Sequence, residues 1–355
     1  MKVPMDRVSA LIEKGGDLLR EGLLEKAARS LSEAIDIVEG RSGKAQDKRT
    51  LAEALRLRAY CRSRLGEFTE AARDAKRAMD ISKGLSDLEG EADALRRLGY
   101  LHWQKADYIM AMEFYNAALE KASICGANHL LGKIKIEIGN VHTYKQEFVE
   151  AERLYLDAER ILRAEKDYDE LARLYNNIGA LYLNSERYED AIKVLKQCAA
   201  CGKKAGDNTI QGWANFNIAE GLRKLGRPKD AIPHLQTALD ILRRCGDKAG
   251  IASTHLNYGL ALAATGDWDG ARDHFNRALR MERTMGMPAT EGEALREIGK
   301  AYMKKGDKDL ARSHLEKALK VYEEADLEKE AEEVRKLLKG SWTGTEQDRL
   351  ECRGR

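Results

Sequence analysis

Small and apolar positions recur along this chain at one fixed interval, with polar stretches between them. The most regular column is a small residue every 40 positions: Ala59, Gly99, Gly139, Gly179, Ala219, Gly259 and Gly299. An alanine follows twelve residues after each: Ala71, Ala111, Ala151, Ala191, Ala231, Ala271 and Ala311. Seven further on stands another small residue: Ala78, Ala118, Ala158, Cys198, Ala238, Ala278 or Ala318. Between those two, four after the first alanine, sits Ala75, Tyr115, Tyr155, Leu195, Leu235, Phe275 or Leu315. Small residues at these places let two helices approach to about 8–10 Å, and the large residue fills the gap between them. Each period reads as helix, tight turn, helix. A stack of such units has one long groove and no single core, which favours binding another macromolecule over catalysis in a cleft.

The turns carry their own chemistry. Midway through the units run Leu65-Gly66-Glu67-Phe68, Lys105-Ala106-Asp107-Tyr108, Lys145-Gln146-Glu147-Phe148 and Thr265-Gly266-Asp267-Trp268. The acidic residue is placed to cap the next helix, and the aromatic closes the hairpin. The second helices are predicted to stop at Gly126, Gly206-Asp207, Gly246-Asp247 and Gly286. Just before these stops stand Lys83, Ser123, Arg163, Lys203, Arg243 and Arg283, mostly basic residues that suit the negative end of a helix dipole.

These columns resemble the tetratricopeptide repeat, whose signature pairs a glycine with spaced alanines and aromatics. The resemblance covers roughly residues 5–324. A degenerate first unit fits through Gly15, Gly22, Ala27, Leu31 and Ala34, and Glu39-Gly40-Arg41-Ser42-Gly43-Lys44 lengthens its step to the next to 44 residues. The commonest form of this repeat has a period of 34 residues and a proline near the end of its second helix. Here the whole chain holds four prolines, and the second helix is expected to continue into the extra residues. Repeats of this longer kind resemble those of Pins-type polarity adaptors, kinesin light chains and some bacterial peptide-sensing regulators. That group consists mostly of peptide or protein receptors. The implied fold is all-α: a right-handed α-solenoid, or superhelix, of eight repeats at about 5–44, 48–87, 88–127, 128–167, 168–207, 208–247, 248–287 and 288–324. Residues 327–339 form an amphipathic helix with Leu327, Ala331, Val334 and Leu338 on one face, expected to cap the last repeat. Residues 341–355 are polar and are expected to be a disordered tail.

Charge narrows the class of partner. Charged residues make up 34% of the chain and the net charge is +2, which lacks the basic excess of a nucleic-acid binder. No apolar run approaches the length of a membrane span, and Met1 to Val8 lacks the apolar stretch of a secretory signal. Six cysteines, mostly on predicted helices, read as reduced thiols of a cytoplasmic protein. The expectation is a monomer whose partner is a protein or peptide, with no nucleic acid and no membrane.

Three groups of residues invite a chemical reading, and each has a plainer one. Cys198-Ala-Ala-Cys201 has redox spacing, yet Cys198 occupies a column otherwise held by alanine, which suits a packing residue. His234, His274 and His314 fall on successive repeats about 10 Å apart, too far to share a metal. His102 and His142 stand where other repeats carry Tyr182 or Tyr302, as packing residues do. With no nucleophile elbow, phosphate loop or paired-carboxylate motif, neither an enzyme nor a cofactor is expected.

The binding residues are sought on the first helix of each unit, which in this family lines the concave surface. Two residues before the small column stand Leu57, Arg97, Glu137, Asn177, Asn217, Asn257 and Glu297. Three asparagines in adjacent repeats offer donors and an acceptor to an extended peptide backbone, whose every third residue would meet the next repeat. Family members that bind extended peptides use asparagines in this place. Flanking columns divide the surface into three stretches. An aromatic and basic one holds Arg56, Tyr60, Arg64, Arg96, Tyr100, Trp103 and Tyr144. A polar one holds Lys133, Arg173, Asn176 and Asn177, with Asn140 nearby. An apolar one holds Trp213, Phe216, Leu256 and Leu260 beside Asn217 and Asn257, followed by Arg223 and Lys224. Trp213 and Phe216 have packing on the neighbouring inner helix as their alternative. Because these columns carry more Lys and Arg than Asp and Glu, the expected ligand is a segment with acidic residues and one or two apolar anchors. Asn140, Asn177 and Arg173 match only partly the clamp that relatives use for a terminal carboxylate.

The function expected is therefore a non-enzymatic scaffold that holds an extended or helical segment in its groove. The alternative is a sensory module whose superhelix changes pitch when a peptide or small effector binds. The tail at 341–355, with Trp342 and several acidic residues, is a further candidate occupant of the groove.

Overall fold

A computed structural model describes residues 5–20, 22–41, 44–286 and 288–340. The proposed tail at 341–355 lies outside them. The described residues form seventeen helices and no strand. The chain divides into two compact units, Met1–Leu174 and Tyr175–Arg355.

The first unit is built from α1 (Met5–Arg20), α2 (Leu24–Glu39), α3 (Ala45–Arg64), α4 (Phe68–Gly84), α5 (Leu88–Gln104), α6 (Tyr108–Cys125), α7 (Asn128–Tyr144) and α8 (Phe148–Glu165). Helix α9 (Tyr168–Asn184) carries the border between the units. The second unit continues with α10 (Tyr188–Ala205), α11 (Asn208–Lys224), α12 (Pro228–Cys245) and α13 (Lys248–Thr265). It ends with α14 (Trp268–Met285), α15 (Pro288–Lys305), α16 (Lys308–Glu324) and α17 (Glu328–Gly340). Within each unit successive helices pack as antiparallel neighbours, and the first helix of one hairpin also touches the first helix of the next: α3 with α5, α5 with α7, α11 with α13, α13 with α15. The architecture is an α-solenoid of helical repeats.

The small column and the large residue sixteen places later are partners. A Cβ built on Gly139 would lie 2.5 Å from the ring of Tyr155, and one on Gly259 would lie 2.5 Å from Phe275 and 3.0 Å from the carbonyl oxygen of Ala271. The absent side chain is the space the ring occupies. Tyr115, Tyr155, Leu195 and Leu315 are fully or almost fully buried against Gly99, Gly139, Gly179 and Gly299 in the same way. Helix α17 lays Ala331 and Val334 on the core that includes Leu315 and Tyr322, covering the last hairpin.

Turn geometry follows the sequence with one correction. Gly126, Gly206, Gly246 and Gly286 end their helices in the left-handed region, where a Cβ would be strained. Lys166 holds the same place in α8 at a φ of 56° without being glycine. Asp107 and Asp267 cap their helices by accepting from the N–H three residues on, at 3.2 and 3.0 Å. Glu67 and Glu147 do not cap. Their extra methylene carries the carboxylate past the helix N-terminus, so Glu67 meets Arg62 at 3.6 Å and Glu147 meets His142 at 2.5 Å.

Candidate functional site

The residues singled out from the sequence fall on both sides of the unit border, so each set stands by itself. In the first unit the inner columns of α3, α5 and α7 form an ion-pair ladder. Arg56 Nε reaches Asp93 at 3.0 Å, Arg96 reaches Asp93 at 2.7 Å and Glu137 at 2.6 Å, and Arg97 lies 3.7 Å from Asp93. Burial alone would raise the Asp93 carboxyl, but Arg97, Arg96 and Arg56 together hold it well below the carboxylate range. At Glu137 burial prevails over Arg96 and Arg97 and its carboxyl is raised. Three further atoms of this ladder, Arg56 Nη1, Arg97 Nε and Glu137 Oε2, are enclosed with no hydrogen-bond partner, so they belong to the wall and do not face a ligand. Arg96 itself is 7% exposed. Arg96, which the sequence places among ligand-facing groups, pairs with Asp93 on its own helix and with Glu137 on α7.

The aromatic side chains that the sequence singles out in this unit fall in two clusters. Tyr60 and Tyr100 have ring centroids 5.8 Å apart, with the Arg97 guanidinium 4.8 Å from the Tyr60 centroid. Trp103 and Tyr144 meet edge to face at 5.9 Å, and both touch Tyr108, a turn residue that column analysis did not select. Tyr144 remains exposed. Asn140 accepts a hydrogen bond from the Tyr155 hydroxyl at 2.7 Å. Lys133 pairs with Glu170 at 3.5 Å, and Arg173 with Asp169 at 3.3 Å.

In the second unit the asparagine columns form a row from helix to helix. Asn217 Nδ2 donates to Asn176 Oδ1 at 3.0 Å, and Arg223 Nε donates to Asn257 Oδ1 at 3.2 Å. Asn176, Asn177 and Asn217 are half-buried, while Asn257 is buried. Each amide carries two donor hydrogens and one acceptor oxygen, so a single bond leaves capacity for another partner. Trp213 gives its indole N–H to Asp247 at 2.9 Å and packs its edge on Phe216, which is buried with Ala238 and Leu242. Phe216 thus packs within its own hairpin, while half-buried Trp213 reaches the start of the next.

Arg223 and Lys224 also border a basin of about 630 Å³. Its floor is apolar, with Leu260, Ala263 and Ala264 of α13, Ala301 and Met303 of α15, and Trp268 of α14. The rim adds Lys300, Lys304 and Glu297, and Leu337 of α17 closes one side. Glu297 accepts from Lys300 at 2.7 Å. Lys300, Lys304 and the alanine pair stand in inner columns visible in the sequence, but nothing local marks a hollow; it arises where small side chains of one helix lie between longer ones on its neighbours.

The remaining candidate groups have structural partners. Cys198 is fully buried, and burial pushes its thiol up to about 12, with Cys201 and Asp207 adding to the shift. His234 contacts Asn215 at 2.9 Å, His274 contacts His255 at 3.1 Å, and His314 stacks on Tyr302. No helix among the described residues is long and apolar enough to cross a membrane.

Comparison with known proteins agrees with this architecture. A family model described as tetratricopeptide repeat matches residues 130–204 and 211–284, and two further models of that repeat match 92–120 and 292–325. No curated protein sequence matches the chain. Among solved structures, the apo quorum sensor NprR from B. thuringiensis superposes with a TM-score of 0.66 at 14% identity, over 88% of this chain and 87% of that one. The Rap conjugation gene regulator of plasmid pLS20, in complex with the Phr* peptide, gives 0.60 at 12% identity over 93% and 99%. Aspartyl phosphate phosphatase F from Bacillus subtilis gives 0.62 at 14% identity over 90% and 94%. At these identities the likeness is one of fold. The repeat columns, the hairpin stack and the family matches agree: the chain belongs to the tetratricopeptide repeat family.

Proposed function

We propose that this chain is a non-enzymatic peptide- or protein-binding module that holds an extended segment along the first helices of its hairpins. The observation that carries the reading is the row Asn176–Asn217 and Arg223–Asn257, which puts polar groups with spare hydrogen-bonding capacity on successive repeats. Helices about 10 Å apart match every third residue of a strand rising about 3.3 Å per residue. The likeness to a structure described with a bound peptide supports the same direction. Several modest contacts, rather than one deep pocket, would then supply affinity. The module is proposed to work as a monomer in the cytoplasm.

A display screen of random and acidic peptides against the native chain and Asn177→Ala/Asn217→Ala/Asn257→Ala tests this. Peptides enriched on the native chain should lose about tenfold or more in affinity on the variant, roughly 1.4 kcal/mol. Equal enrichment on both would remove Asn177, Asn217 and Asn257 from the binding surface. Thermal melts of both proteins accompany the screen, because Asn257 is buried and bonded to Arg223.

A second reading, regulation by a change of superhelix pitch, is favoured by the likeness to proteins described as a gene regulator and a quorum sensor. Small-angle scattering separates the two. A change in radius of gyration on adding an enriched peptide supports the regulator, and an unchanged profile supports the adaptor.

A further inference from the structure

We infer that the basin between α11 and α15 is an anchoring subsite for a peptide segment in which an apolar side chain lies between carboxylates. The inference rests on the peptide-binding reading and specifies where such a segment is held and by what chemistry.

The basin's shape comes from its side chains. Four and five places after the small column, the repeats carry Ser63-Arg64, Trp103-Gln104, Thr143-Tyr144, Leu183-Asn184, Arg223-Lys224, Ala263-Ala264 and Met303-Lys304. Only in α13 are both positions alanine. The longer pairs on α11 and α15 rise on either side, and the volume they leave, about 630 Å³, lies within the usual range for ligand pockets. Leu260, Ala263, Ala301 and Met303 give that volume an apolar floor, which gains by covering an aliphatic or aromatic side chain.

The basin is also rich in positive charge. The lining includes Arg223, Lys224, Lys300 and Lys304 against a single carboxylate, Glu297, which already holds Lys300. Lys224 and Lys304 are exposed, and among the described residues neither has a carboxylate within salt-bridge reach. The inner face of the first unit is different. There Asp93 and Glu137 sit among Arg56, Arg96 and Arg97, so the ladder is largely self-neutralised. Four cations around one hollow repel one another, and an anionic segment relieves that repulsion as it binds. From α11 to α15 is two helix spacings, roughly 20 Å, a distance an extended chain covers in about six residues. The ligand this fits has a Leu- or aromatic-type anchor with an acidic residue some three positions to each side.

The test uses the full chain and a fluorescein-labelled peptide with a leucine between two glutamates about six residues apart. Its partner probe is the same peptide with lysines in place of the glutamates. Three proteins are titrated: the native chain, Lys224→Glu/Lys304→Glu, and Ala264→Trp. Both sets of substitutions fall on exposed positions, and thermal melts check that the fold is kept. The native chain should bind the glutamate peptide in a salt-sensitive manner. Each variant should lose at least tenfold, and the charge-reversed protein should gain affinity for the lysine peptide. If the glutamate peptide binds all three proteins alike, the segment sits elsewhere and the basin proposal falls while peptide binding stands. If the display screen yields no peptide and neither probe binds any of the three proteins, the peptide reading falls with it.

Discussion

Asn217 donates its side-chain amide to Asn176 across 3.0 Å, linking α11 to α9 at residues 41 apart in sequence. The same offset joins Arg96 to Glu137 in the first unit. An inner-column residue thus touches the residue one repeat and one place further on. This register both stiffens the stack and orients the groups proposed to meet a ligand. A double-mutant cycle on Asn176→Ala and Asn217→Ala should give a coupling of about 0.5–1.5 kcal/mol in urea unfolding. A coupling near zero would mean that the two amides do not bond in solution.

Close approach at the glycine column predicts a penalty for the smallest possible enlargement. In a helix interior, replacing glycine by alanine ordinarily adds up to about 1 kcal/mol of stability. Gly259→Ala should instead lose about 1–3 kcal/mol, because its methyl meets the Phe275 ring and the fixed carbonyl of Ala271. Adding Phe275→Leu should recover part of the loss. Urea midpoints of the single and double variants measure both effects.

Asp74 is 4% exposed and holds two cations. Arg58 binds it through Nε and Nη2, both at 2.8 Å, and Arg62 through Nη1 at 2.7 Å. Asp74→Ala would leave two guanidinium groups against each other beneath the surface, at a cost of about 3–5 kcal/mol. Replacing Arg62 alone, by methionine, should cost far less, since Arg58 keeps the carboxylate. Chemical denaturation of the two variants gives the comparison.

Acid should weaken the second unit through its paired imidazoles. His255 and His274 bring their Nδ1 atoms to 3.1 Å, a contact that accommodates one hydrogen and not two. Burial, then His274, bring His255 from the ordinary 6.5 down to about 4, and burial lowers His274 as well. Arg243 and Arg277 nearby act in the same direction, opposed by Asp273 at both rings and by Asp267 at His274. The native pair is therefore neutral, while the unfolded chain takes up protons near pH 6.5. The pair's contribution is complete above that pH and declines as pH falls toward about 4. His255→Gln should flatten the slope of melting temperature against pH in this window. It should do so only in part, because burial also holds His314 at about 4.

The repeat makes much of this legible in the sequence. Seven copies of a column average away the ambiguity of each helix, so the pairing of Gly139 with Tyr155 or Gly259 with Phe275 could be inferred from spacing. Capping was readable for aspartate but not for glutamate, because one methylene decides whether the carboxylate reaches the N–H groups. The pairing of the first unit's inner charges was not legible for a related reason. Whether Arg96 faces a ligand or Glu137 depends on a stagger of 41 residues, which column composition does not reveal. A search for opposite charges at offsets of 37 and 41 would have found Arg56 with Asp93, Arg96 with Glu137 and Arg296 with Glu333. The basin was hidden because a hollow is a property of neighbouring columns taken together: Ala263 and Ala264 are unremarkable until Lys224 and Lys304 stand on either side.

The central claim, that a segment lies along the first helices, is tested most directly by photo-crosslinking. A peptide enriched by display is given a photoreactive residue in place of its apolar anchor, crosslinked to the native chain, digested and mapped by mass spectrometry. Adducts are expected on α11, α13 and α15, concentrated around Leu260, Ala264 and Met303. Adducts confined to the second helices of the hairpins, α10, α12 and α14, would contradict it.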